Sequence, residues 1–368
     1  MGKNSFHQLS KKIPDRNKAI IIFLIILTLL CLFYISFPIQ NGDIPFYIHS
    51  VISWEKAEED AITQTLNILK EEFPEDYYLK HSGQLLSATG EYYDYYRIKP
   101  FYTLLIAGFI NTGIDYFLAT KMPSLLGFIL VALLSFFWIL KIIKPYYAVI
   151  LTSVILISGP INEIARLSTP DALSAFFTLL ALYLLIYNKG RKWFYLSLLI
   201  CIGIRMDNII LAAILIILWE ITNSKPVNYT GIIISLIVLS ITGFLLNFFF
   251  TKDFFWLKNA SFMRSPGGYL RQVLIYIKSV SESYLMAILL MLLILQYFFP
   301  MSIFQKHGRI LAGMAIIIFI RFLLFPSFED RFYVAFYITT IIIIIQEFTN
   351  RLNKKNYDPA PEINLNQT

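Results

Sequence analysis

Apolar runs separated by short polar breaks fill most of this chain. The first, Ala19 to Phe37, is long enough for a membrane-crossing helix. Others cover roughly 101–118, 122–140, 146–158, 172–187, 194–204, 209–222, 229–250, 284–304, 310–325 and 332–347. With the first they make eleven, which predicts an all-α polytopic membrane protein of about 10–11 transmembrane helices. One stretch departs from the pattern. From Gln40 to Pro100 the chain is rich in charge and aromatics, and the apolar spacing from Trp54 through Ile62, Leu66, Ile68 and Leu69 predicts one or two interfacial helices. The cluster Tyr92, Tyr93, Tyr95 and Tyr96 that follows has the character of side chains at headgroup level.

Composition agrees, with 57% hydrophobic and 15% charged residues over 368 positions. The net charge of +7 sits in short clusters between apolar runs and not on one face, which argues against nucleic-acid binding. Lys11, Lys12, Arg16 and Lys18 precede the first run. That run exceeds a signal peptide's apolar core and no small-residue cleavage site follows, so a retained first helix (19–38) with residues 1–18 in the cytoplasm is expected. Basic clusters at Lys141 and Lys144, at Lys189, Arg191 and Lys192, at Lys225, at Lys306, His307 and Arg309, and at Arg351, Lys354 and Lys355 are assigned to the cytoplasmic side. An even number of crossings must then separate the N-terminus from Lys141. The run 101–118, broken by Asn111-Thr112-Gly113 and Asp115, is therefore expected to be re-entrant or interfacial, leaving about ten crossings. Residues 39–100 become a large extracytoplasmic loop, 101–347 the bundle and 348–368 a cytoplasmic tail, whose Asn-rich part from Asn353 to Thr368 is expected to be disordered.

This topology gathers candidate chemistry on one face. Asp43 follows the first helix closely, where it suits a general base for a lipid-linked substrate, or an ordinary turn after Asn41-Gly42. Lys99, with Arg97, ends the loop against Pro100 and suits a phosphate, or snorkels. Ser168-Thr169-Pro170-Asp171 opens a helix beside Arg166, so Asp171 is good helix-start chemistry in any case. Arg205, Asp207 and Asn208 break the apolar stretch from Phe194 to Trp219, where ionisable residues are a functional hypothesis by default. Arg321 lies inside an apolar run and is expected to pair with Glu329 or Asp330, and Arg331 at the outer mouth is a further phosphate cation. The segment Thr251 to Ser283, with Lys252, Lys258, Arg264 and Arg271, reads as a basic outer loop or an acceptor-binding segment. Cys31 and Cys201 both fall in apolar runs and propose no disulfide, and the four histidines are scattered, so no metal site is predicted.

Taken in order, the residues resemble a family. A single helix is followed by a large loop opening with Asp43 and Tyr47, then Arg97-Ile98-Lys99-Pro100, Thr169-Pro170-Asp171-Ala172, Ile204-Arg205-Met206-Asp207-Asn208 and, late, Glu329-Asp330-Arg331-Phe332. This order is similar to the GT-C superfamily of integral membrane glycosyltransferases, in the branch of the lipid A aminoarabinose transferases and protein O-mannosyltransferases. The resemblance implies an inverting transfer of sugar from a polyprenyl-phosphate donor to a glycolipid, glycan or protein acceptor at the outer face of the cytoplasmic membrane. It implies Asp43 as base, Lys99 on the lipid phosphate, Asp171 as the second-loop acid and Arg205 as a basic position of the third outer turn. It assigns no certain cofactor and leaves a divalent metal open. Asp43 has no acidic neighbour and no large C-terminal outer domain follows, and both depart from the family pattern. A transporter or flippase, with Arg205, Asp207 and Arg321 lining a pathway, and a polysaccharide polymerase are the alternatives.

Overall fold

The computed structural model describes residues 3–88, 90–223, 226–250, 266–279, 306–324 and 330–355, and within them the chain is all-α. Helix α1 (Lys3–Ser36) carries the first apolar run. The following stretch, expected to hold one or two helices, holds four: α2 (Ile44–Ile52), α3 (Glu58–Glu72), α4 (Glu75–Ser87) and α5 (Gly90–Arg97). Pro45 in the first turn of α2 fits there because its missing N–H is one the helix start leaves unbonded. Glu58, Glu59 and Asp60 complement the positive end of α3. These helices share an apolar core, Ile44, Ile48 and Ile52 with Ala61, Ile68, Leu69, Phe73 and Tyr77. The tyrosines expected at headgroup level divide: Tyr95 is exposed, but Tyr93 and Tyr96 are buried. Tyr96 stacks on Phe46 of α2 with ring centroids 4.9 Å apart, so its aromatic surface meets protein in place of lipid.

Helix α6 (Pro100–Asn111) spans about 18 Å at 1.5 Å per residue, short of a hydrocarbon core of about 30 Å. The chain reverses through Gly113 at φ 87°, a left-handed conformation that favours glycine. It then enters α7 (Tyr116–Ile139), whose start the Asp115 carboxylate caps by accepting from Leu118 N–H at 2.8 Å. Helices α8 (Pro145–Leu156) and α9 (Gly159–Arg166) meet at a 67° bend. After α10 (Asp171–Tyr187), Asn188 and Gly190 turn the chain with φ of 50° and 60°. Helix α11 (Arg191–Ile204), the 3-10 turn Met206–Asn208 and α12 (Ile209–Asn223) come next, then α13 (Tyr229–Phe250). The remaining elements are α14 (Pro266–Ser279), α15 (Lys306–Leu324), the 3-10 turn Asp330–Tyr333 and α16 (Val334–Lys355). Lys225, most of the basic segment around Lys252, Lys258 and Arg264, the apolar run 284–304, Glu329 and the tail beyond Lys355 lie outside the described residues.

Six helices are long and apolar enough to cross a membrane among the described residues, seven if the bent α8–α9 pair counts as one span. Helices α7 and α10 approach closely because a Cβ on Gly127 would sit 2.5 Å from the Leu173 nitrogen. The bundle has two chemically different ends. At one, Lys141 contacts the Tyr183 hydroxyl, Arg191 pairs with Glu220, Arg309 donates to the Ile221 carbonyl at 3.0 Å, and His307 meets Glu347 at 2.7 Å. At the other, Ile39 N–H donates to the Arg166 carbonyl at 3.0 Å and Ser124 to the Thr169 carbonyl at 2.9 Å. Asn208 there donates to Ser174 at 2.8 Å. An apolar cavity of about 350 Å³ between α11, α12 and α13 reaches toward the basic end, with Arg191 and Tyr195 in its wall.

Candidate functional site

The second end is where helix starts and breaks converge. Asp43 stands just before α2, and its Oδ1 accepts a hydrogen bond from the Tyr96 hydroxyl at 2.7 Å. Lys99 stands immediately before α6 and is buried. Its Nζ donates to the Tyr47 hydroxyl at 3.2 Å and lies 3.9, 4.7 and 5.2 Å from the ring centroids of Tyr95, Tyr96 and Tyr47. Such an aromatic enclosure holds an ammonium by its ring quadrupoles while removing it from water. Burial therefore brings the Lys99 amine down to about 7, against the pull of the Asp43 carboxylate. Burial keeps the Tyr47 phenol well above its ordinary range, so it stays a neutral acceptor.

The second cluster is built from three breaks in the bundle. Asp171, 4% exposed at the start of α10, receives the Thr169 hydroxyl at 2.9 Å, the Arg205 guanidinium, and Arg331 at 3.5 Å. Arg205, from the break between α11 and α12, also spans Asp207 with Nε at 3.0 Å and Nη2 at 2.8 Å. Arg321 of α15 reaches the same Asp207 Oδ2 at 2.8 Å. Phe332 stands under all three guanidiniums, 4.5 Å from Arg205, 4.6 Å from Arg321 and 5.2 Å from Arg331. Asp171, Arg205, Arg321, Arg331 and Phe332 line a cavity of about 10 Å³, room for at most one water. Lys99 feels the charges of Asp43, Arg205, Asp171 and Asp207, so it lies electrically between the two clusters.

A scan against protein-family models, a search of curated proteins and a search of solved structures find no match. Function must be read from the site itself.

Asp43, Tyr47, Lys99, Asp171, Arg205, Asp207 and Arg331 thus gather at one end of the bundle. The other two candidates meet other partners. Arg166 donates from Nε to the Phe37 carbonyl at 2.8 Å, pinning the exit of α1 to α9, and makes no ion pair with these carboxylates. Arg97 lies near His49, whose imidazole is brought down to about 4 by burial and by that guanidinium. Arg321 pairs with Asp207, not with Asp330, because the inner face of α15 meets the α11–α12 break. Tyr96 and Phe332 join the site without a sequence signal, because an aromatic near a cation in the chain does not show which ring faces it. The described residues do not fit a divalent metal: Asp171 and Asp207 are claimed by arginines, and no second carboxylate among the described side chains joins Asp43. Among the described residues no group of three His, Cys, Asp or Glu side chains forms a metal site.

Proposed function

We propose that this chain is an inverting membrane glycosyltransferase that moves a sugar from a polyprenyl-phosphate donor to an acceptor hydroxyl. The observation that carries the reading is the convergence of one carboxylate held by a phenol, Asp43, with a buried lysine and an arginine cluster, at the bundle end remote from the basic helix ends. The basic ends mark the cytoplasmic side, so the site faces the extracytoplasmic side of the bundle, with the short α6 re-entrant. The loop of α2 to α5 is the catalytic element, and its partners are the lipid-linked donor, a glycolipid, glycan or protein acceptor, and membrane lipid.

Asp43 takes the proton from the acceptor hydroxyl, whose oxygen attacks the anomeric carbon as the bond from that carbon to the phosphate oxygen breaks. The phosphate leaves with the bonding pair, and Lys99, Arg205 and Arg331 offset its charge. Such preorganised charge stabilisation is usually the largest contribution to the rate. The test is transfer by purified protein from a panel of polyprenyl-phosphate sugars, with Asp43→Asn beside the native chain. Asn keeps an acceptor for Tyr96 but not the base, so turnover is expected to fall by about 10² to 10⁴. Undiminished transfer by Asp43→Asn, with arginine variants inactive, favours a polymerase instead. A second reading, a transporter or flippase, is supported by the ion network that links Asp207 to Arg321 across α12 and α15. Movement of label across the bilayer without glycosidic bond formation would establish it.

A further inference from the structure

We infer that Asp207 is a built-in competitor: its carboxylate holds the arginine positions that a phosphate needs, so it sets specificity against small free anions. The inference rests on the phosphate-binding reading above for the identity of the incoming ligand. Arg205 presents Nε and Nη2 to Asp207 at 3.0 and 2.8 Å, the forked geometry with which a guanidinium also grips phosphate. The same Asp207 Oδ2 accepts from Arg321 at 2.8 Å, so one carboxylate bridges two arginines as a phosphate does. Three guanidiniums around Phe332 repel one another, and Asp171 and Asp207 interleave to hold them. A phosphate can take these arginine donors only if a carboxylate gives them up.

Asp207 is the one that can. Its side chain is 19% exposed against 3% for Asp171. It sits on the three-residue turn Met206–Asn208, and its hydrogen bonds are to arginines, whereas Thr169 also anchors Asp171 at the start of α10. An incoming anion therefore gains only the difference between its own bonds and those of Asp207. A free inorganic anion has little more to offer than the carboxylate it displaces. A lipid-linked phosphate adds the membrane anchorage of its chain, so it is selected.

The experiment measures binding of inorganic pyrophosphate and of a short-chain polyprenyl monophosphate to the purified native protein, Asp207→Asn and Asp207→Glu, by calorimetry and by ligand-induced shift of Tm. The native protein is expected to bind the lipid phosphate and scarcely the pyrophosphate. Asp207→Asn is expected to bind pyrophosphate about tenfold more tightly or better, the equivalent of one charged hydrogen bond released. It should unfold at a lower temperature without ligand and recover with pyrophosphate, while Asp207→Glu restores discrimination. If Asp207→Asn binds pyrophosphate no better than the native chain, or binds the lipid phosphate more weakly, the inference is overturned while the donor reading stands. If the native protein ignores the lipid phosphate yet Asp207→Asn gains pyrophosphate, the donor reading falls and the competitor role is upheld.

Discussion

Lys99 offers the sharpest pH experiment. Its amine drops from an ordinary 10.5 to about 7, which at 1.36 kcal/mol per pH unit is on the order of 5 kcal/mol of cost for keeping the ammonium inside. Because the folded value lies below the unfolded one, the folded chain binds fewer protons between pH 7 and 10.5. The cost is complete below pH 7 and is relieved as pH rises through that window. Lys99→Met, which keeps the stem without the charge, should therefore unfold at a higher temperature than the native protein at pH 6, and by a smaller margin at pH 9. Function runs the other way. On the proposed donor reading the phosphate needs the ammonium, so the KM for donor should climb as pH passes about 7, and the bound phosphate should move the corresponding limb of kcat to higher pH. Lys99→Arg stays charged and should lose that limb. Differential scanning fluorimetry in detergent and donor titrations from pH 6 to 9 measure both. A native-versus-Met gap in Tm that does not change with pH, or an unaltered limb in Lys99→Arg, refutes the burial account.

Two further changes probe the scaffold. Arg205→Ala takes the shared guanidinium from the buried Asp171 and Asp207, leaving them Arg331 and Arg321 alone, and removing one partner of a buried pair costs about 3–5 kcal/mol, so this variant should show a lowered Tm as well as lost transfer. Gly127→Ala puts a methyl 2.5 Å from the Leu173 nitrogen, displacing the start of α10 that carries Asp171. It should destabilise by about 1–3 kcal/mol and reduce activity, and a native Tm in this variant would contradict the packing.

Much of the one-ended arrangement was legible in the chain. Apolar runs and basic clusters fix which helix ends share a side, and Asp43, Lys99, Asp171, Arg205 and Arg331 all fall at the opposite ends. The break at Asn111-Thr112-Gly113 was legible too, since a glycine between apolar runs marks a reversal, and α6 stops there. The pairing was not. Arg321 is eight positions from Glu329 and nine from Asp330 in sequence, yet it bonds Asp207, 114 positions away.

The sequence by itself determined the all-α, membrane-like character of the chain and which helix ends carry ionisable residues, because these follow from local apolar run length and charge. Only the tertiary structure decided that Tyr96 donates to Asp43, that three tyrosines enclose Lys99, and that Phe332 lies under three guanidiniums. Those contacts depend on the rotation of each helix about its axis and on which helices are neighbours. Run length carries neither quantity. Close approaches such as Gly127 against α10 set both.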